Sequence, residues 1–161
     1  AVGSYPFESA SAASTIAGFV EAEGSSFQMV QPACRHQSEG AAVAHAAAAI
    51  PVNDLGIVAI TCYTETGRTA RLLSAERPRV PVYAFVPPRE VQRMMCLQWG
   101  VEALPATPPS DTDGMIGLMD RGLRAHGLAS PGDAVVMAAS TPAGRTTTNM
   151  LKIHRVGSPV R

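Results

Sequence analysis

The amino-acid sequence predicts an α/β fold in which helices cover both faces of a mainly parallel sheet. Short runs of β-forming residues alternate with helical patterns, the connections are short, and turn residues bound each run. Right-handed crossovers between parallel strands place helices on both sides of a sheet, so we expect a three-layer α/β/α architecture. The 161 residues, 46% of them apolar, are enough for one such domain.

Two helices are predicted before the first strand. Pro6 is suited to the first turn of a helix, where its missing N–H is not needed, so we expect a helix over Pro6–Glu23. A second helix is expected over Glu39–Ala49, because its alanine-rich pattern fits helical spacing and Pro51 ends it.

The rest of the chain is predicted to alternate between strands and helices. Four short apolar runs are typical of strands buried on both faces of a parallel sheet, and amphipathic helical segments separate them. A fifth run alternates apolar and polar residues and is expected at a sheet edge. The predicted strands are Leu55–Thr61, Val80–Val86, Val101–Leu104, Ala134–Ala139 and Met150–Val156, and the predicted helices are Gly67–Arg77, Pro88–Cys96 and Asp111–His126.

The charge and the cysteines exclude several classes of protein. Thirteen basic and thirteen acidic side chains cancel without clustering, so we expect neither a nucleic-acid partner nor a membrane partner. No apolar run approaches the roughly 20 residues of a membrane span, and residues 1–13 do not have the pattern of a signal peptide, so we expect a cytoplasmic protein. The widely spaced Cys34, Cys62 and Cys96 suggest neither a disulfide framework nor a zinc site.

Few residues suggest catalysis. The sequence contains no nucleophile elbow, no HExxH, no CxxC and no glycine-rich dinucleotide fingerprint. The clustered aspartates are expected to cap a helix and face solvent rather than bind Mg²⁺, and the scattered histidines have no evident carboxylate partner. These residues are Asp111, Asp113 and Asp120, and His36, His45, His126 and His154.

Two polar loops are the candidate binding site. Ligands of such sheets bind beyond the carboxyl ends of the strands, where the winding reverses, so the loops after the first and fourth strands meet there if those strands are neighbours. The first loop places hydroxyls and Gly67 between a strand and a helix, which makes a phosphate cradle without a catalytic group. Its residues are Thr64, Glu65, Thr66, Gly67, Arg68 and Thr69. The alternative is that Thr66 only caps the helix.

The second loop, Thr141–Asn149, can complete the same site. Gly144, Arg145 and the three threonines Thr146, Thr147 and Thr148 add a guanidinium and more hydroxyls that can close over an anion bound by the first loop. The alternative is an ordinary polar turn.

Several motifs, in matching order and spacing, give most of the chain a resemblance to the C-terminal domain of pyruvate kinase. They are Tyr5-Pro6-x-Glu8, Thr66-Gly67-Arg68-Thr69-Ala70-Arg71-Leu72 followed by Arg77-Pro78, Trp99-Gly100-Val101, Gly132-Asp133, and Thr147-Thr148-Asn149-x-Leu151-Lys152-x-His154. The resemblance implies a mixed five-stranded sheet of order 3-2-1-4-5 with the last strand antiparallel. It also implies that the two loops meet at the switch point.

The resemblance further implies how the chain is divided and what it lacks. Residues 1–23 look like the last helix of the (β/α)₈ barrel that precedes this domain in pyruvate kinases, and residues 24–161 look like the C-terminal regulatory domain. In that family the barrel carries the Mg²⁺ and K⁺ ligands and the catalytic lysine. We therefore expect no catalytic residue, no cofactor and no turnover in this chain alone.

The resemblance finally implies regulation and assembly. In the family this domain holds an allosteric effector pocket and part of the tetramer interface, and the first loop is similar to the one that binds the 6-phosphate of fructose 1,6-bisphosphate. Residues 64–69 carry over as phosphate contacts, and Gly144, Arg145 and Thr146 as the closing loop. The tryptophan that commonly holds the second phosphate is missing and only Arg121 or Arg124 could replace its arginine partner, so sugar monophosphates and AMP stay open as effectors.

Two other functions stay open at this point. The chain could be a free-standing module that binds phosphorylated metabolites, or a purely structural domain that serves only for tetramer contact. The helix Pro88–Cys96 and the last strand are the expected interface, because apolar and arginine side chains mix there.

Overall fold

A computed structural model describes residues 3–23, 38–53, 55–141 and 147–160. The chain divides into two units, residues 1–35 and residues 36–161. The first unit contains α1, an α-helix over Pro6–Glu23 with Glu8 in its first turn, as the sequence predicts. None of the helices in the described ranges is both long and apolar enough to span a bilayer.

The second unit alternates helices and strands, and two of its helices begin at a residue whose side chain caps the helix. Ser38 caps the second helix by accepting a hydrogen bond from the Ala41 N–H, and Asp111 caps the fifth through the Gly114 N–H at 2.6 Å. The elements are α2 Glu39–Ala49, a 3₁₀ turn Ile50–Asn53, β1 Ile57–Tyr63, α3 Arg68–Ala75, β2 Val82–Val86, α4 Arg89–Met95, β3 Val101–Pro105, α5 Thr112–Ala125, β4 Ala134–Ala139 and β5 Met150–Arg155.

The five strands form one mixed sheet of order β3-β2-β1-β4-β5. The first four strands are parallel, and β5 runs antiparallel to β4. Cys62 of β1 lies in register with Ala84 of β2 and with Ala138 of β4, so β1 and β4 are central neighbours. The predicted fold class, strand order and antiparallel last strand are confirmed.

The core has two layers, one on each face of the sheet. Side chains of α2, α3 and α4 pack on one face, represented by Ala47, Leu73 and Met95, and those of α5 pack on the other, represented by Met119 and Leu123. Burying a leucine or methionine side chain such as these contributes about 1.5–3 kcal/mol. All six residues of β4 are buried, whereas five of the six in β5 are partly or fully exposed, which fits a central strand and an edge strand respectively.

Strand boundaries differ from the prediction mainly in β1. The strand begins at Ile57 instead of Leu55, and it continues to Tyr63, two residues beyond the predicted end. Leu55 is apolar but exposed, and the pairing register with β4 shifts between Ile57 and Ala59. Val58 is exposed at this bulge although Ile57 and Ala59 on either side of it are buried, so only Leu55 places the start of the apolar run ahead of the buried strand.

Candidate functional site

The first predicted loop lies at the carboxyl edge of the sheet, between the end of β1 and the start of α3. Thr64 follows the last residue of β1, and its backbone N–H donates to the Phe85 carbonyl at 3.1 Å. The second predicted loop starts after Ala139, the last residue of the adjacent strand β4. The two loops therefore leave neighbouring parallel strands at the same edge, which is the usual position of a ligand site in this type of sheet.

The start of α3 is capped by backbone geometry rather than by a side chain. Gly67 occupies the N-cap position with φ at 75°, and no described side chain makes a capping hydrogen bond there. The alternative role of Thr66 as a cap is therefore wrong, and Thr66 is exposed in the loop. The first backbone N–H groups of a helix have no partner within the helix, so they point toward this loop as potential donors.

Gly67 is also held close to a neighbouring helix. A Cβ atom at this position would lie 2.6 Å from the Met95 Cε and 3.1 Å from the Val91 Cγ1, both on α4. The positive φ and this close packing each favour glycine. The loop conformation is thus fixed by α4 as well as by its own sequence.

Two of the loop's hydroxyl-bearing residues are nearly fully buried. Thr64 is 5% exposed and Thr69 is 4% exposed. The Thr69 Oγ1 lies 2.7 Å from the Oγ1 of Thr148, which is itself 2% exposed and immediately precedes the Asn149 that leads into β5. The sequence predicts Thr148 only as one of three threonines that could close over the anion, and it is not among the contacts that the family resemblance implies.

The second loop is closed at its base by Asn149. The Asn149 Oδ1 accepts a hydrogen bond from the Thr141 N–H at 2.7 Å, and its Nδ2 donates to the Thr141 carbonyl at 2.8 Å. The Asn149 N–H also donates to the Ala139 carbonyl at 3.1 Å. The predicted contacts Gly144, Arg145 and Thr146 lie outside the described residues.

The electrostatics of the first loop are mixed. Glu65 and Arg68 are both exposed, and the Glu65 Oε1 accepts a hydrogen bond from the Tyr63 hydroxyl at 3.3 Å. Burial, followed by the charge and the hydrogen bond of Glu65, raises the pKa of Tyr63 to about 12. The phenol therefore stays protonated at neutral pH, and the Glu65 carboxylate is an acidic group within the predicted phosphate cradle.

Asp120 is not the solvent-facing residue that its position among the aspartates predicts. It is 5% exposed, and its carboxylate accepts hydrogen bonds from Arg124 at 2.7 and 3.0 Å, from the His154 Nε2 at 3.1 Å and from the Gly157 N–H at 2.7 Å. Burial alone would raise its pKa, but these donors lower it below the ordinary value. Asp111 does cap α5, and Asp113 is exposed.

Two of the histidines also have carboxylate partners, contrary to the prediction. His154 is buried against Asp120, and the His45 Nδ1 lies 2.9 Å from the Glu76 Oε2. His126 is exposed and His36 lies outside the described residues. Neither contact involves the two loops, and within the described ranges no group of three His, Cys, Asp or Glu side chains could hold a metal ion.

The remaining predicted residues have plain structural roles. Arg124, one of the two arginines considered for a second phosphate, is bonded to Asp120, and Arg121 is exposed on the same helix. Burial raises the pKa of the free Cys62 thiol to about 12, and Cys96 is free and exposed. Cys34 lies outside the described residues.

A surface hollow of about 350 Å³ lies near the ends of β2 and β3 and is lined partly by Phe85, Leu118 and His126. It contains none of the predicted phosphate contacts.

Comparison with known proteins gives one consistent result. The family model described as pyruvate kinase, alpha/beta domain, matches residues 41–154. A pyruvate kinase of Lactobacillus delbrueckii subsp. bulgaricus is 35% identical over 106 residues, which is 65% of this chain and 18% of that protein. A pyruvate kinase of Staphylococcus aureus (strain USA300) is 35% identical over 122 residues, 75% of this chain and 20% of that protein. The chain spans about a fifth of the length of these relatives.

Proposed function

Because this chain belongs to the pyruvate kinase family and is its C-terminal α/β domain, we propose that it is a regulatory domain that binds a phosphorylated effector at the loop after β1. The observation that carries the proposal is the arrangement of Thr64 and Thr69, two buried hydroxyl-bearing residues on either side of a helix N-cap at the carboxyl edge of the sheet. Backbone N–H groups, threonine hydroxyls and Arg68 are donors suited to a phosphate ester. Gly144, Arg145 and Thr146 are proposed to close over the same phosphate.

The same residues support binding rather than turnover. No hydroxyl of residues 64–69 makes a described hydrogen bond to a basic side chain, and the one described hydrogen bond of the Glu65 side chain is with the Tyr63 hydroxyl. In the proposed full-length enzyme, phosphate passes from phosphoenolpyruvate to ADP in a preceding barrel that holds Mg²⁺ and K⁺. Residues 1–23 are proposed to be the last helix of that barrel, and residues 24–161 the regulatory domain.

Regulation is proposed to act through the position of this domain against its neighbours. An effector that binds one arrangement of a cytoplasmic tetramer better than another shifts the population toward that arrangement, and the barrel reports the shift as activity. The expected partners are therefore the effector, the chain's own barrel and further copies of the same protein.

The structure favours an effector with a single phosphate group. Of the two arginines considered for a second phosphate, Arg124 is bonded to Asp120, which leaves the exposed Arg121, and Glu65 opposes the accumulation of negative charge at the first loop. Sugar monophosphates and AMP are therefore preferred over fructose 1,6-bisphosphate.

Calorimetric titration of the 161-residue chain tests the proposal. Glucose 6-phosphate, AMP and fructose 1,6-bisphosphate are titrated at low and at high salt, which separates site binding from general charge attraction. We expect saturable binding that survives high salt and is abolished by Thr64→Ala combined with Thr69→Ala. A folded chain that binds none of the three ligands contradicts the proposal and favours a purely structural domain.

The absence of turnover is tested in the same preparation. Phosphoenolpyruvate, ADP, Mg²⁺ and K⁺ are supplied and pyruvate is measured. We expect no pyruvate above the buffer rate, and pyruvate formation that follows the purified chain through a further chromatographic step would overturn this expectation.

A further inference from the structure

Thr148 makes the one described side-chain hydrogen bond that joins the start of α3 to the segment leading into β5. Its Oγ1 lies 2.7 Å from the Thr69 Oγ1, although 79 residues separate the two along the chain. Both residues are more than nine-tenths buried, so bulk water does not compete for this hydrogen bond. The pair therefore fixes the relative position of two segments that leave neighbouring strands.

The chemistry of two paired hydroxyls leaves one donor unused. Each hydroxyl carries one proton, and the hydrogen bond between them consumes one of the two. When Thr148 donates to Thr69, the Thr69 hydroxyl is oriented and its own proton is left to donate to another acceptor. A hydroxyl that accepts a hydrogen bond is also a better donor than an isolated one, because the two bonds polarise each other.

The backbone around Thr148 holds the hydroxyl in place. A Cβ on Gly40 of α2 would lie 3.6 Å from the Thr148 nitrogen and 3.6 Å from its Cβ, so α2 packs closely against this residue. On the other side, Asn149 joins Thr141 through three hydrogen bonds and fixes the base of the connection between β4 and β5. Thr148 therefore has little freedom to move away from Thr69.

We propose that Thr148 is a positioning residue of the effector site: its hydroxyl orients the Thr69 hydroxyl toward the phosphate without contacting the ligand itself. This inference rests on the proposed function and gives Thr148 a positioning role, whereas the sequence predicts it only as one of the hydroxyls that could close over the anion. It distinguishes two threonines of one motif, since Thr148 is buried and bonded whereas Thr147 is partly exposed.

The experiment compares phosphate affinity in three variants of the full 161-residue chain. Inorganic phosphate, glucose 6-phosphate and AMP are titrated by calorimetry into the parent chain, Thr148→Val, Thr148→Ser and Thr61→Val. Thr61→Val is the matched control, because it also removes a buried hydroxyl, one that donates to the Tyr83 carbonyl at 3.1 Å in the middle of β1.

We expect Thr148→Val to weaken binding about five- to tenfold, as the loss of one hydrogen bond at the site implies. Thr148→Ser keeps the hydroxyl and is expected to stay within about twofold of the parent chain. Thr61→Val is expected to lower the unfolding temperature without changing the affinity. If Thr148→Val does not fold, Thr148→Cys replaces it, and its weaker thiol donor is expected to bind less tightly than Thr148→Ser.

The outcomes separate this inference from the function on which it rests. If the parent chain binds no phosphate ester, the proposed function fails and the role of Thr148 fails with it. If the parent chain binds but Thr148→Val binds equally well, or Thr148→Ser is as weak as Thr148→Val, only the positioning role is overturned. Equal losses in Thr61→Val and Thr148→Val would also overturn it, because the effect would then reflect general destabilisation.

Discussion

Two buried polar clusters hold the two ends of β5, and they differ in charge and in spare hydrogen-bonding capacity. Before the strand, Thr148 shares a neutral hydrogen bond with Thr69, and one of the two hydroxyl protons is left over. Near its other end, His154 contacts Asp120, whose carboxylate already accepts from three residues. A saturated charged cluster suits a structural role, whereas a buried hydroxyl pair with a remaining donor suits a binding role.

This comparison also explains why the candidate site is assigned to one end of the strand. The Asp120 cluster joins α5, β5 and the turn after β5, so its hydrogen bonds stabilise the edge strand on the sheet. The Thr69–Thr148 pair joins two connections at the carboxyl edge, where ligands of parallel sheets bind. Substitutions in the Asp120 cluster are therefore expected to lower the free energy of unfolding, whereas substitutions in the Thr69–Thr148 pair are expected to weaken phosphate binding.

The largest expected effect comes from Asp120→Ala. The substitution leaves the buried His154 ring and the Gly157 N–H without their acceptor, and we expect a loss of about 2–4 kcal/mol in the free energy of unfolding. Urea unfolding measures this loss, and phosphate affinity of the remaining folded protein is expected to be unchanged. Asp113→Ala, an exposed change on the same helix, is the control and is expected to cost less than about 0.5 kcal/mol. Equal losses of stability in both variants would show that the buried Asp120 cluster does not stabilise the fold more than an exposed aspartate does.

Gly67→Ala is expected to affect both properties, because this residue shapes the candidate site. The added Cβ meets the Met95 side chain and the positive φ disfavours alanine, so we expect a loss of about 1–3 kcal/mol in the free energy of unfolding. The displaced loop is also expected to bind phosphate more weakly. Gly127→Ala is a matched control, since Gly127 has a φ of 66° and no described atom within 4 Å of the added Cβ. It is expected to lose stability only, and an unchanged affinity in Gly67→Ala would argue against the site.

The stability that the Asp120 cluster provides is expected to depend on pH. The pKa of Asp120 is below its ordinary value in the folded protein, so its ionised form stabilises the fold fully above the unfolded-state pKa, and this stabilisation is lost as the pH falls through the lowered folded-state pKa. We expect urea unfolding to show stability falling below about pH 4. Asp120→Asn, which does not titrate, is expected to fall less steeply over the same range. Parallel curves for the two proteins would show that Asp120 does not contribute to the acid sensitivity.

Much of the fold is predictable from the sequence, because the positions of strands and helices depend on patterns of neighbouring residues. The bounds of β4, Ala134–Ala139, are predicted without error, because six consecutive apolar residues lie between turn residues and all six are buried. The start of β1 is misplaced because Leu55 is apolar but exposed ahead of the strand, and the sequence does not indicate the bulge that leaves Val58 exposed.

The polar clusters are less predictable, because their partners are distant in sequence. Asp120 and Arg124 have the spacing of an ordinary surface ion pair on a helix, and only the packing of β5 against α5 brings His154 to the carboxylate, 34 residues away. The position of Thr64–Thr69 at a strand end was predictable from the strand-to-helix pattern. The predicted strand order brings the two connections to the same edge, but the pairing of Thr69 with Thr148 depends on side-chain packing that the sequence does not show.

The smallest expected effect tests the charge of the candidate site itself. Glu65→Gln removes the negative charge from the first loop while keeping an oxygen that can accept from the Tyr63 hydroxyl, so we expect little change in stability. Phosphate affinity is expected to rise about two- to fivefold at low salt, and the gain should shrink at high salt because exposed charges are screened. Glu102→Gln removes the same charge from an exposed position on β3 and serves as the control. If both variants gain affinity equally, the effect reflects net charge, and the bound phosphate does not lie near Glu65.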